Sequence, residues 1–84
     1  MDFKLIVYGH QYCADALYLD SYLEKNGIEY EWRDVLDGDP KFARELRLLA
    51  RGNLSVPTVV FPDGEVLVEP APFDVLSRWV RAVG

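Results

Sequence analysis

The stretch FKLIVYGHQYC, Phe3 to Cys13, carries the reading of the whole chain. Its first part, Phe3 to Tyr8, is a nearly continuous apolar run closed by Gly9, the pattern of a short central strand covered on both faces inside an α/β sheet. Its last residue is the only cysteine of the chain, and a helical pattern follows at once. From Ala14 to Asn26, Ala16, Leu19 and Leu23 share one helical face with Leu17 beside it, while Asp15, Asp20, Ser21, Glu24 and Lys25 point elsewhere. Gly27 then suits a left-handed C-terminal cap. Cys13 therefore falls between a strand end and the first turn of a helix. There the unpaired N–H groups and the helix dipole favour a thiolate and leave the sulfur accessible, which is where a nucleophilic thiol belongs. The competing reading is a small buried hydrophobe, the usual state of a free cysteine.

Working outward, Ile28 to Val35 (IEYEWRDV) alternates apolar and polar residues, which predicts an edge strand with one exposed face. Asp39 followed by Pro40 is an N-cap with proline at the first helical position; Phe42, Leu46 and Leu49 recur at helical spacing until Gly52 and Asn53 end the run. Thr58 to Phe61, the turn Pro62-Asp63-Gly64, and Glu65 to Val68 predict a hairpin, since Asp-Gly supplies the positive backbone angles of a tight reversal. Phe73, Leu76, Val80 and Val83 mark a C-terminal helix with Trp79 on its border. The order is β-α-β-α-β-β-α: an α/β domain, residues 1–84, in which a right-handed β-α-β unit and an antiparallel hairpin share a four-stranded mixed sheet with helices on both faces.

Eighty-four residues, half of them hydrophobic, allow one core without staples, and a monomer is expected. A lone cysteine cannot form an internal disulfide, and the start of the chain lacks the pattern of a signal peptide, so the reducing cytoplasm is the expected compartment. A net charge of −5 disfavours phosphate backbones and anionic lipid, so neither nucleic acid nor membrane is an expected partner. His10 is the only histidine, no cysteine or histidine stands at metal-finger spacing, and no bound cofactor is expected. Pro57, entering the strand TVVF, removes a ladder donor.

Tyr8-Gly9-His10-Gln11-Tyr12-Cys13, the helix end Asn26-Gly27-Ile28-Glu29-Tyr30, Gly52-Asn53-Leu54-Ser55-Val56-Pro57-Thr58-Val59 and Phe61-Pro62-Asp63-Gly64 together resemble the glutaredoxin-like proteins of the thioredoxin superfamily, mycoredoxins especially. The resemblance runs from Phe3 to about Trp79 and implies the thioredoxin fold. It also implies thiol-disulfide exchange: Cys13 as the attacking thiol, Pro57 cis and packed near it, Val56 as the backbone docking residue, and Tyr12 as the aromatic neighbour in substrate binding. His10 stands where relatives often carry lysine, and a protonated imidazole there would lend a thiolate a pH-dependent field. A small thiol of the glutathione or mycothiol type is the implied co-substrate, and disulfide-bearing client proteins are the implied partners.

The chain departs from the family at Ala16, where the second cysteine of C-x-x-C would stand, giving Cys-Ala-Asp-Ala. A mixed disulfide on Cys13 then has no neighbouring thiol to resolve it, which leaves a monothiol cycle completed by a second small thiol. A monothiol iron-sulfur carrier and a redox-inert binding module are the alternatives; one cysteine per chain supplies only part of a cluster's thiolate set. Leu54 replaces a common basic residue, and Glu69-Pro70-Ala71-Pro72 matches the γ-glutamyl-binding segment poorly, with Glu69 set to repel a carboxylate if it points inward. Tyr8 and Tyr12 invite a binding-cleft reading; Tyr18 and Tyr22, one turn apart, are read as surface or rim packing. Lys41, Arg44, Arg47 and Arg51 form a basic stripe read as a solvated face.

Overall fold

Alternation along the first strand divides the molecule into two cores. The computed structural model describes residues Lys4–Val83, so Phe3, expected at the head of that strand, lies outside the described residues. Strand β1 (Leu5–Gly9) pairs in parallel with β2 (Tyr30–Asp34), Leu5 opposite Tyr30 and Gly9 opposite Asp34, and antiparallel with β3 (Thr58–Val60). The hairpin partner β4 (Val66–Val68) completes the order β2-β1-β3-β4, so β2 is an edge and β1 is interior, as the hydrophobic pattern predicts. Three helices close the sheet: α1 (Ala14–Lys25), α2 (Pro40–Leu49) and α3 (Pro72–Val83). The mixed four-stranded sheet with helices on both faces is the thioredoxin arrangement.

Leu5 and Val7 of β1 point to one side with Val59 and Phe61, and α1 and α3 cover them through Leu19, Leu23 and Val75. Ile6 and Tyr8 point to the other side, where α2 brings Leu46, Leu49 and Phe42. Each fully buried leucine contributes about 1.5–3 kcal/mol relative to exposure, so both layers are held chiefly by hydrocarbon. The predicted local signals act as expected. Asp39 accepts a hydrogen bond from Lys41 N–H at 3.0 Å with Pro40 next to it, and Gly27 and Gly64 take left-handed conformations. Among the described residues no helix is long and apolar enough to cross a membrane.

Two expectations are corrected. The polar face of β2 is not simply exposed, because Arg33 turns under α2 and bonds both Tyr8 and Glu45. On α3 the stripe Phe73, Val80 and Val83 faces outward, Phe73 being 68% exposed, whereas Val75 is buried and Leu76 and Trp79 pack on the core. The helix carries two apolar stripes and the sheet can cover one. Seating it on Val75 and Trp79 packs the large indole, half-buried, against the core, and Arg78 holds that rotation by lying 5.0 Å over the Phe61 ring while pairing with Asp63 and Glu65.

Candidate active site

The turn between β1 and α1 places the sulfur. Cys13 is the N-cap of α1, in extended conformation: its N–H donates to His10 O at 3.3 Å and its carbonyl accepts from Leu17 N–H at 3.0 Å. Its side chain caps no N–H of the helix, so the thiol is free to face the second half of the molecule. There the thiol donates to Val56 O across 3.7 Å, a contact between residues 43 positions apart. Cys13 is half-buried, reachable from solvent and yet seated against backbone.

The Val56-Pro57 peptide is cis, and Pro57 is buried. Hydrogen bonds brace this loop from both ends: Thr58 Oγ1 donates to Ser55 O at 2.7 Å, and Glu69 N–H donates to Pro57 O at 2.8 Å. Val56 N–H has no carbonyl partner among the described residues, so an extended substrate can still pair with it.

His10 and Tyr12 flank the sulfur differently. Tyr12 N–H donates to His10 Nδ1 at 3.2 Å, which turns the imidazole onto its own loop, and the Tyr12 ring is 74% exposed at the rim. Gln11 ties this turn to the loop after β2 through Asp37 at 2.8 Å. Beneath lies Ala16, fully buried. A Cβ at Gly9 would sit 2.6 Å from the Trp32 ring and 3.1 Å from Ala16 Cβ, so glycine at the strand end is what lets the indole slide under the helix N-terminus.

Beside the loop a cleft of about 280 Å³ is lined by Asp15, Tyr18, Pro57, Glu69, Pro70, Ala71 and Pro72. Tyr18 packs against Tyr22 at 6.3 Å between ring centroids on the exposed side of α1, in keeping with the rim-packing reading, and also lines this cleft, a placement its spacing of three from Asp15 could have indicated. Tyr8 does not reach the site. It is buried in the second core, its OH donating to Glu45 at 2.9 Å and accepting from Arg33 at 3.0 Å; burial first, then the Glu45 bond, hold its phenol above the usual 10.0. Tyr30 is pushed up likewise, by burial and by its bond to Asp20. The hydrogen bond from Arg33 holds Glu31 below the usual carboxylate value. Among the described residues no three His, Cys, Asp or Glu side chains converge on a metal position.

The arrangement can bring one thiol up to a disulfide laid along Val56, with room on one side for the substrate's smaller half. Comparison with known proteins gives the family and the fold. The family model described as Glutaredoxin matches residues 5–67. Two Mycobacterium tuberculosis proteins named as glutaredoxins, MT3292 of strain CDC 1551 / Oshkosh and Rv3198A of strain ATCC 25618 / H37Rv, are each 31% identical over 80 residues, spanning 95% of this chain and 94% of the relative. The crystal structure of the thioredoxin-like protein BC3987 superposes with a TM-score of 0.68 at 31% identity, covering 89% of this chain and 97% of that one. A mutant of the same protein gives 0.69 at 29%, covering 90% and 97%.

Proposed function

The chain belongs to the glutaredoxin family and has a glutaredoxin-like redox role, and from that premise we propose that it reduces mixed disulfides between client proteins and a small thiol by a monothiol cycle on Cys13. In the first step the Cys13 thiolate attacks the sulfur of the small half. The Cys13–small-thiol disulfide forms, the client's sulfur–sulfur bond breaks, and the client leaves as a thiolate that takes up a proton. A second molecule of the small thiol, as thiolate, then attacks the small half held on Cys13, releasing the oxidised small-thiol dimer and restoring the Cys13 thiolate. The proton this molecule gives up balances the one the client gained. Ala16 supplies no thiol for an internal resolving step, so the second step depends on the concentration of small thiol, as it would be met in the cytoplasm.

The observation that carries this reading is the 3.7 Å contact from Cys13 Sγ to Val56 O. Disulfide exchange needs three sulfurs in line, and a substrate paired with the Val56 backbone lies where its sulfur can meet Sγ. Tyr12 at the rim and the His10 turn below are the remaining members of this binding site.

The test is steady-state reduction of a peptide carrying one small-thiol mixed disulfide. The expected outcome is turnover that rises with small-thiol concentration and disappears in Cys13→Ser. Turnover that persists in Cys13→Ser would remove the cysteine from the chemistry.

A further inference from the structure

The cleft beside the reactive loop has a charge the family reading does not specify. Its walls are the first turns of α1, through Asp15 and Tyr18, and the strap Glu69–Pro72 that leads into α3; Pro57 joins it to the sulfur site. Every charged residue that lines it is a carboxylate. Neither Asp15 nor Glu69 makes an ion pair among the described residues, in contrast with Glu31, Glu45, Asp63 and Glu65, which are paired with Arg33 and Arg78. Glu69 is also fixed in register with the reacting loop, since its N–H is bonded to Pro57 O at 2.8 Å and its backbone is left-handed at φ 50. Asp15 stands two residues beyond the sulfur on the same helix.

Cys13 Sγ contacts Val56 O and the next residue, Pro57, lines the cleft, so a small half held on Cys13 and directed past Pro57 would enter it. At about 280 Å³ it is small beside the ~300–1,000 Å³ of ordinary ligand pockets, so it suits a compact group. A carboxylate on that group would meet like charge from both walls without a counter-ion. An ammonium would be attracted by both carboxylates and by the face of Tyr18, and a hydroxyl could donate to either acid. We propose that this cleft is the specificity pocket of Cys13, and that it takes disulfides whose small half carries an ammonium group or no charge while discriminating against halves that carry a carboxylate. The proposal rests on the monothiol reading above and adds its substrate class.

Three mixed disulfides of one uncharged peptide, made with cysteamine, mercaptoethanol and mercaptoacetate, separate the charge of the small half from its size. Each kcat/KM is divided by the rate at which free mercaptoethanol attacks the same disulfide, which removes intrinsic differences in the reactivity of the attacked sulfur, the peptide leaving group being common to all three. The expected order is cysteamine above mercaptoethanol above mercaptoacetate, with roughly tenfold between the extremes at low salt and about twofold or less at ~1 M salt, where screening is complete within a few ångströms. The same collapse is expected at low salt in Asp15→Asn/Glu69→Gln and, in part, in Glu69→Gln alone. Both side chains are exposed, so the folded state should survive the changes, and Arg44→Gln/Arg47→Gln on the far helix should leave the ratio where it was. Equal normalised rates for all three substrates, or a ratio that ignores the cleft substitutions, would overturn the proposal while leaving the thiol cycle intact. Failure to turn over even the mercaptoethanol disulfide would instead remove the cycle on which it stands.

Discussion

The two faces of the sheet are closed by different means. Under α1 and α3 the contact is hydrocarbon, with Leu5, Val7, Leu19, Leu23, Val59, Phe61 and Val75 all at 2% exposure or less. Under α2 the apolar set is smaller and is completed by a polar knot, in which Glu45 Oε1 accepts from both Tyr8 OH and Arg33 Nη1 and the arginine also reaches the tyrosine oxygen. The outer surfaces differ as well. The α1–α3 side opens into the acidic cleft next to Cys13, whereas α2 and the turn after it present Arg44, Arg47 and Arg51 around Leu48, which is 87% exposed. Net charge is thus a poor guide to this molecule, because four of its nine basic residues, Lys41, Arg44, Arg47 and Arg51, lie along or just after α2, away from the proposed chemistry. The apolar face supplies the rigid seat for the helix that carries the sulfur; the polar knot sets how α2 sits on the other side.

The largest expected effect breaks the apolar face. Leu19→Ala should cost about 3 kcal/mol in urea-denaturation stability, since a fully buried leucine leaves both its transfer energy and a cavity behind. A cost under about 1 kcal/mol would mean that this face repacks freely and is no rigid seat. A smaller effect is expected from the knot. Arg33→Met leaves Tyr8 and Glu45 bonded to each other, and the arginine side chain is 22% exposed against a Glu45 that is 36% exposed, so solvent screening should hold the loss to about 1–2 kcal/mol in the same assay. A loss equal to that of Leu19→Ala would make the polar knot the principal support of the molecule and reverse the comparison.

Much of this architecture could be read from local signals, because the decisive residues act on their immediate neighbours. Asp39-Pro40 starts a helix and Asp63-Gly64 turns a hairpin whatever lies elsewhere, and an apolar run before Cys13 can only be a covered strand. The cis Val56-Pro57 peptide beside the thiol followed from family resemblance, not from spacing. What stayed illegible depends on which distant surface wins. The facing of α3 is ambiguous in the sequence because Phe73-Leu76-Val80-Val83 and Val75-Leu76-Trp79 are both plausible stripes, and only the position of Phe61 and the pairs of Arg78 decide between them. Tyr8 looked like a cleft residue until Arg33 and Glu45, 25 and 37 positions away, claimed its hydroxyl. The acidic cleft required α1 and the strap before α3 to meet at Pro57, a meeting that no single segment announces.

The central claim, that Cys13 works alone, is tested most directly by intact-protein mass spectrometry after mixing the reduced chain with one equivalent of a peptide–mercaptoethanol mixed disulfide. The account predicts a single adduct of one mercaptoethanol on Cys13, persisting until more thiol is added, and its loss in Ala16→Cys as an internal disulfide forms in its place. An unmodified Cys13 beside intact mixed disulfide, or an Ala16→Cys adduct that persists as long as the native one, would contradict it.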